Sequence, residues 1–157
     1  MIKIFATFVE DCDRMLESVL LRHIPAQIEI LRTENGKPYI DGNPVFFSIS
    51  DSGERAVIAL SDRPVGIDLE VFKNKERLSV VSRFTEREQA EICCERDFLI
   101  HWTAREAYIK LYGLTLAKML KRIEFCDGIL SIDGRPQNVK FSFYNFGYGI
   151  AAICTEK

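Results

Sequence analysis

Residues 65–71 read VGIDLEV, so apolar side chains alternate with two carboxylates. Because successive side chains of a β-strand point to opposite faces, Asp68 and Glu70 lie on the same face. Two carboxylates held side by side raise each other's pKa, and Mg²⁺, which prefers oxygen ligands, resolves that repulsion. Gly66 leaves room for close approach of a ligand or another backbone. The stretch predicts a strand that presents two carboxylates to magnesium, although an exposed strand edge with ordinary surface charges explains the same spacing.

The second informative stretch is a predicted helix over residues 97–112. Trp102, Glu106 and Lys110 recur every four residues in it and therefore line one face. As a surface pair, Glu106 and Lys110 contribute only about 0.3–0.5 kcal/mol, with Trp102 in the core. As part of a site, Glu106 beside Arg105 and Lys110 supplies one more metal ligand and two charges for phosphate oxygens. The sequence alone leaves both interpretations open.

The rest of the chain predicts short strands and helices in alternation. Thr85 and Glu88 have the spacing of a capping box, and Gly113 stands where a helix ends in the left-handed conformation. The predicted strands cover 2–9, 27–32, 45–50, 55–60, 65–71, 122–126, 129–133, 138–145 and 148–154. The predicted helices cover about 11–23, 75–83, 86–94 and 97–112. This order indicates an α+β fold with antiparallel sheets.

The composition limits the possible classes of protein. The chain has 157 residues, 47% of them hydrophobic and 28% charged, which is typical of one compact domain or two small halves. A net charge of −2 provides no general attraction for nucleic acid or an anionic membrane. The apolar run at residues 1–9 is too short for a membrane span or a signal peptide. The protein is therefore expected in the cytoplasm.

The cysteines indicate the compartment, and the histidines limit the kinds of metal site. The five cysteines are odd in number and lack C-x-x-C spacing, which favours buried free thiols in a reducing compartment over disulfides. With only two histidines, a histidine-based zinc or iron site is not expected.

The two informative stretches together resemble the paired signature of the 4'-phosphopantetheinyl transferases, G-x-D-x-E followed by W-[ST]-x-[KR]-E-A-x-x-K-x-x-G. Here the signature is GIDLE at 66–70 and WTAREAYIKLYG at 102–113. Residues 36–39, GKPY, resemble the G-K-P loop of the family, and residues 47–54, FSISDSGE, resemble its N-[IL]-S-H-[ST]-G turn. The motif order is similar to that of the surfactin-synthetase-activating type.

The resemblance implies a fold and an activity. The fold would be a pseudo-dimer of two small lobes within a single domain at 1–157, with lobes at about 1–62 and 63–157 and coenzyme A between them. Members transfer 4'-phosphopantetheine from coenzyme A to a serine of an acyl or peptidyl carrier protein, with magnesium, and release 3',5'-ADP. A monomer is expected, because the chain would contain its own pseudo-dimer interface.

The resemblance also implies roles for individual residues. Asp68, Glu70 and Glu106 would hold the magnesium, and Asp68, Glu106 and Lys110 would be catalytic. Either Glu106 or a metal-bound water would take the proton of the carrier serine, a role typically worth ~10²–10⁴ in rate. The coenzyme A contacts would come from the G-K-P loop, the serine turn and the helix, at Lys37, Pro38, Ser50, Asp51, Arg105 and Lys110.

Two departures from the family pattern leave alternatives. Asp51 stands where the family usually has histidine, and Ser48 where it usually has asparagine. An acid near coenzyme A phosphates repels them unless it recruits a cation or points away. The alternative function is a degenerate, non-catalytic module that binds coenzyme A or a carrier protein. A different magnesium enzyme, such as a phosphohydrolase that uses the same acids on water, is a third hypothesis.

Overall fold

The computed structural model describes residues 1–24, 29–42, 45–73 and 78–157, in which runs of short antiparallel strands are separated by helices. The strands are β1 (Lys3–Phe8), β2 (Leu31–Arg32), β3 (Pro38–Tyr39), β4 (Phe46–Ser52), β5 (Arg55–Ser61), β6 (Gly66–Val71), β7 (Ile123–Cys126), β8 (Ile129–Ile132), β9 (Arg135–Pro136), β10 (Val139–Asn145) and β11 (Gly149–Glu156). The helices are α1 (Cys12–Leu21), α2 (Leu78–Val81), α3 (Glu86–Glu91), α4 (Glu95–Tyr112) and α5 (Leu116–Met119). The predicted mixture of helices with small antiparallel sheets is confirmed.

The first sheet has the order β1-β5-β4, with both neighbours antiparallel. Helix α1 covers it because Leu16, Val19 and Leu20 recur at helical spacing and are all buried. They form one hydrophobic cluster with Phe47 and Ile58 of the sheet. Burial of such side chains is the main favourable term in holding helix and sheet together.

The second sheet has the order β10-β11-β6, again antiparallel. In each of these two sheets the first strand in the chain pairs with the last, and the last pairs with the strand that precedes it. Helix α4 packs on the second sheet through a cluster that includes Ala104, Ala107 and Ala152. Small side chains at this contact allow the backbones of the helix and the sheet to approach closely.

The predicted signals at the helix ends are confirmed. The Thr85 hydroxyl accepts the N–H of Glu88, and the Glu88 carboxylate accepts the N–H of Thr85, so the capping box opens α3. Gly113 ends α4 with φ of +63°, a conformation that glycine adopts without a Cβ clash.

The two sheets meet where β4 and β5 of the first lie against β6 of the second. Val57 and Ala59 of the first sheet form a buried cluster with Ile67, Leu69 and Ile153 of the second. The predicted alternation along β6 therefore holds, since its apolar residues lie in this cluster.

Some predicted boundaries differ from the structure. Strand β4 continues through Ser52, so Asp51 lies in a strand rather than in the predicted turn. Helix α5 and strand β9 were not predicted, because their few residues carry little periodic signal. Residues 27–28 of the predicted strand 27–32 and residues 75–77 of the predicted helix 75–83 lie outside the described residues.

The cysteines differ in exposure from the prediction. All five are free, but only Cys126 and Cys154 are buried, while Cys93 and Cys94 are exposed where α4 begins. An apolar flank such as Ile92 does not bury a residue that stands at a helix end.

No helix in the described part of the chain is both long enough and apolar enough to cross a membrane.

Candidate functional site

Strand β6 and helix α4 approach each other at Gly66. A Cβ placed on this residue would lie 2.0 Å from the carbonyl oxygen of Ala107 and 2.5 Å from the amide nitrogen of Leu111. Only glycine fits at such a distance. Gly66 was expected to allow close approach of either a ligand or another backbone, and in the structure it is the backbone of α4 that comes close. The contact places the acids of β6 beside the charged residues of α4.

Asp68 is the buried centre of this contact, with 5% of the residue exposed. Its Oδ1 accepts the Lys110 ammonium at 2.7 Å and the Ser50 hydroxyl at 2.9 Å. Among the residues that the structure describes, its buried Oδ2 has no hydrogen-bond partner. Burial raises the pKa of Asp68, and the charge and hydrogen bond of Lys110 offset only part of that effect. The site therefore contains a carboxylate oxygen that still lacks a donor or a cation.

Glu106 lies one helical turn from Lys110, and its pKa is strongly affected by burial and by the negative charges around it. Burial first, and then the charges of Asp68 and Glu70, raise its pKa to about 7. The positive charge of Lys110 lowers it in part. The three predicted carboxylates are thus close enough to interact electrostatically, and a cation added among them would relieve the repulsion.

The carboxylate oxygens of Asp68, Glu70 and Glu106 are suitable donors for magnesium. Within the described ranges, no three His, Cys, Asp or Glu side chains come together tightly enough to hold a metal ion. The structure instead pairs Asp68 with Lys110. The unpartnered Oδ2 of Asp68 and the raised pKa of Glu106 both indicate surplus acceptor capacity, and oxygen donors of this kind suit Mg²⁺.

The G-K-P loop reaches the far end of α4. The Lys37 ammonium donates to the carbonyl of Leu111 at 2.8 Å, and the Asn35 amide donates to the carbonyl of Gly113 at 2.7 Å. Both satisfy carbonyls that a helix end leaves without an intrahelical donor. Burial lowers the pKa of Lys37. In the structure, then, the Lys37 ammonium caps α4.

A cavity of about 230 Å³ opens beside this loop, and its walls include Lys37, Pro38 and Lys110. Three of the predicted coenzyme A contacts are therefore brought together. A second cavity of about 540 Å³ lies beside the same loop and is lined mainly by apolar and aromatic side chains, among them Tyr39, Phe46 and Tyr112.

The structure places Arg105, a predicted coenzyme A contact, in the protein interior. Its side chain is 1% exposed and forms an ion pair with the fully buried Glu88. The guanidinium also donates to the carbonyl of Leu120 and lies 4.1 Å from the ring centre of Phe84. A guanidinium enclosed in this way is not available to phosphate oxygens, because its donors face the protein interior.

Asp51 is also not brought to the carboxylates. Ser50 and Ser52 point toward β6, where they bond Asp68 and Glu70, and strand alternation puts the exposed Asp51 on the opposite side. The charge of Asp51 instead contributes, after burial and Asp13, to the raised pKa of Cys12.

Trp102 packs away from the position suggested by its spacing. Its ring stacks with Phe84 and Phe98, at centroid distances of 6.3 and 5.9 Å, in the cluster between α3 and α4. The side chain is half-buried and packs against the edge of the core, which is closer to the first interpretation of that helix face.

Three residues beside the site had no role assigned to them from the sequence. Ser48 and Ser52 bond to β6, and Asn35 caps α4. The serines did carry a signal, since hydroxyl residues at 48, 50 and 52 repeat with the period of a strand. Asn35 carried none, because its partner is distant in the sequence.

Comparison with known proteins agrees with the signature. Residues 64–151 match the family model described as the 4'-phosphopantetheinyl transferase superfamily. The chain is 37% identical over 123 residues to 4'-phosphopantetheinyl transferase psf-1 of Bacillus pumilus, an alignment that covers 68% of this chain and 52% of that protein.

Two further relatives come from distant organisms. The identity is 34% over 110 residues with 4'-phosphopantetheinyl transferase AcpT of Salmonella typhi, covering 64% of this chain and 56% of the relative. The identity is 33% over 125 residues with the L-aminoadipate-semialdehyde dehydrogenase-phosphopantetheinyl transferase of Xenopus laevis. That alignment covers 63% of this chain and 40% of the relative. The chain spans about half the length of the curated relatives it matches.

Proposed function

We propose, from the premise that the chain belongs to the 4'-phosphopantetheinyl transferase superfamily, that it transfers 4'-phosphopantetheine from coenzyme A to a serine of an acyl or peptidyl carrier protein. The observation that carries the proposal is the contact of β6 with α4, where Asp68, Glu70 and Glu106 interact beside Lys110. All four residues lie within the part of the chain that the family model matches. Several relatives carry the name of this activity.

Asp68, Glu70 and Glu106 are the proposed magnesium ligands. Bound magnesium would neutralise the pyrophosphate oxygens of coenzyme A, which lowers the barrier to displacement at phosphorus. Lys110 adds a positive charge at the same place, and its side chain is 30% exposed, so its ammonium is within reach of a phosphate oxygen.

Glu106 is the proposed acceptor of the carrier serine's proton. A carboxylate that accepts this proton as the serine attacks contributes typically ~10²–10⁴ in rate. In the step, the serine oxygen forms a bond to the phosphorus that carries pantetheine. The bond from that phosphorus to 3',5'-ADP breaks, and the proton passes to Glu106.

The cavity beside Lys37 and Pro38 is the proposed place for the nucleotide end of coenzyme A. Its position next to Lys110 supports this, because a nucleotide there would direct its pyrophosphate toward the carboxylates. Ser50 remains a proposed contributor to the same end of the site. Arg105 and Asp51 are not among the proposed coenzyme A contacts. Arg105 is buried against Glu88, and Asp51 lies on the side of β4 that faces away from the carboxylates.

The finer architecture is proposed as a pseudo-dimer of lobes at about 1–62 and 63–157, acting as a monomer. The identical strand connectivity of the β1-β5-β4 and β10-β11-β6 sheets supports it. The cytoplasm is the proposed location, supported by five unpaired cysteines, because oxidising compartments favour disulfides.

The test is a mass measurement on apo carrier proteins incubated with the chain, coenzyme A and Mg²⁺. The expected product is a carrier heavier by one phosphopantetheine arm, and Glu70→Ala abolishes it while Glu17→Ala, an exposed change on α1, does not. Binding of coenzyme A without any mass shift on several carriers favours the non-catalytic module. Release of phosphopantetheine or phosphate without a carrier favours a hydrolase.

A further inference from the structure

Strand β4 presents a row of three hydroxyls to β6, formed by Ser48, Ser50 and Ser52 and called here the serine row. Each hydroxyl accepts one backbone N–H of β6, at 3.1, 3.1 and 3.2 Å. The donors are the alternate residues Ile67, Leu69 and Val71. On its other side β6 pairs with β11. The hydroxyls thus take the place that the carbonyls of a further strand would have.

Two members of the serine row also donate to carboxylates. The Ser50 hydroxyl donates to Oδ1 of Asp68 at 2.9 Å, and the Ser52 hydroxyl donates to Oε2 of Glu70 at 3.1 Å. A hydroxyl has a single proton, so each of these serines uses it on a proposed metal ligand while the backbone N–H fixes its oxygen. Both serines are buried, with 4% and 7% of the residue exposed.

Ser48 differs from the other two in one respect. Its hydroxyl accepts the N–H of Ile67, and the preceding residue on β6 is Gly66, which has no side chain. The equivalent preceding residues for Ser50 and Ser52 are Asp68 and Glu70. Ser48 therefore shares the backbone contact of the row and lacks the carboxylate contact.

The hydrogen bond from Ser50 determines which oxygen of Asp68 is left without a hydrogen-bond donor. Oδ1 receives both the Ser50 hydroxyl and the Lys110 ammonium, whereas Oδ2 is buried without a partner. With two donors on Oδ1, rotation of the carboxylate would break two hydrogen bonds. The open oxygen is thereby held in one orientation, as a metal ligand requires.

We propose that Ser50 and Ser52 are positioning residues that fix Asp68 and Glu70 for metal binding, in addition to their contact with the β6 backbone. This proposal rests on the proposed assignment of Asp68 and Glu70 as magnesium ligands. Outer hydrogen bonds of this kind typically change metal affinity by roughly 10–100-fold when they are lost.

The experiment measures Mn²⁺ binding to the full chain, with Mn²⁺ alone as the probe and free Mn²⁺ detected by electron paramagnetic resonance. Ser50→Ala and Ser52→Ala are expected to weaken binding by roughly tenfold or more. Ser48→Ala is the matched control, since it removes a backbone contact only, and its Mn²⁺ affinity is expected to stay within about twofold of the wild type. Ser52→Thr, which keeps a hydroxyl, is expected to restore binding.

Thermal unfolding of the same variants in EDTA separates positioning from folding. All three alanine variants lose one backbone partner, and the Ser50 and Ser52 variants also lose a hydrogen bond to a carboxylate, so these two are expected to lower the Tm by at least as much as Ser48→Ala. Equal Mn²⁺ affinity in the Ser48, Ser50 and Ser52 alanine variants overturns the positioning proposal and leaves the metal assignment intact. Failure of the wild type to bind Mn²⁺ overturns both. If Ser50→Ala does not fold, the comparison of Ser52→Ala with Ser48→Ala decides the question.

Discussion

The ammonium of Lys110 lies 2.7 Å from Oδ1 of Asp68, and this ion pair joins α4 to β6. The Asp68 side chain is 7% exposed and that of Lys110 is 30% exposed, so the cation extends from solvent to a buried carboxylate. Burial raises the pKa of Asp68, and the charge and hydrogen bond of Lys110 oppose that rise.

Lys110→Met is therefore expected to affect both folding and activity. In EDTA the free energy of unfolding falls by about 2 kcal/mol, because a buried carboxylate is left without its cation, and the partial exposure of Lys110 keeps the loss below that of a fully buried pair. Carrier modification falls by roughly 10²-fold or more, because a charge that stabilises the transferring phosphate is gone. Urea unfolding and single-turnover transfer measure the two effects.

The stability control for this change is Lys140→Met, which removes an exposed lysine from β10. An exposed lysine without such a buried partner changes stability by no more than about 0.5 kcal/mol. Equal stability of Lys110→Met and the wild type in EDTA would show that the ion pair does not hold Asp68.

Gly66→Ala tests the contact of strand and helix directly. The added Cβ meets the carbonyl oxygen of Ala107 at 2.0 Å and the amide nitrogen of Leu111 at 2.5 Å, and both of these atoms belong to the backbone of α4, so β6 and α4 must move apart. The expected loss in the free energy of unfolding is more than about 3 kcal/mol, with loss of carrier modification as the two halves of the site separate.

Gly128→Ala is the comparison for this prediction, measured by the same urea titration. Gly128 has φ of +74° and nothing within 4 Å of its added Cβ, so only the backbone strain of a left-handed alanine remains. That strain amounts to about 1–2 kcal/mol. A Gly66→Ala protein as stable as Gly128→Ala would mean that the helix and strand do not approach as described.

The Glu88–Arg105 pair gives a prediction for acid stability. Burial raises the pKa of Glu88, but His101, the charge of Arg105 and the backbone N–H of Phe125 outweigh it and lower the pKa to about 2. Because the folded pKa lies below the ordinary value, the stabilisation is full above the unfolded pKa and is lost as the pH falls toward 2. The stabilisation from ionised Glu88 is about 3 kcal/mol at pH 7 and about 1 kcal/mol at pH 3.

Glu88→Gln is the variant that reveals this dependence. Its loss of unfolding free energy relative to the wild type is expected to be larger at pH 7 than at pH 3, because the wild type loses its advantage in acid. Urea unfolding at both pH values gives the comparison, with Glu17→Gln on the surface of α1 as the control. The same loss at both pH values would show that Glu88 keeps an ordinary pKa.

Local patterns in the sequence were sufficient for β6, for the start of α3 and for the end of α4. Alternation identifies a strand, and Thr85, Glu88 and Gly113 act through bonds or dihedral angles within a few residues. The acids of β6 and the charges of α4 were also found, since i+2 and i+4 spacing fixes which side chains share a face.

The inward position of Arg105 could not be found in this way. Helix α4 is buried on more than one face, and its arginine is satisfied by Glu88, which belongs to another helix. The same holds for Lys37, whose partner is the carbonyl of Leu111. Charged residues are usually exposed, so burial of these two depends on tertiary contacts that a spacing rule does not contain.

Glu106→Gln is expected to stabilise the metal-free protein while it removes the response to metal. Burial and the charges of Asp68 and Glu70 raise the pKa of Glu106 to about 7, above its ordinary value of 4.5. The folded state then binds a proton that the unfolded state releases, so stability falls as the pH rises from 4.5 to 7. With allowance for its partial exposure, the penalty at pH 8 is about 2 kcal/mol, and glutamine does not incur it.

The measurement is urea unfolding of wild type and Glu106→Gln at pH 5 and pH 8, in EDTA and with Mg²⁺. In EDTA the variant is expected to be the more stable protein at pH 8 and nearly equal to the wild type at pH 5. Mg²⁺ is expected to raise the stability of the wild type more than that of the variant, because the variant lacks one proposed ligand. Glu17→Gln, an exposed change, should follow the wild type in every condition. A Glu106→Gln protein less stable than the wild type at pH 8 in EDTA would contradict the crowding of charge at this site.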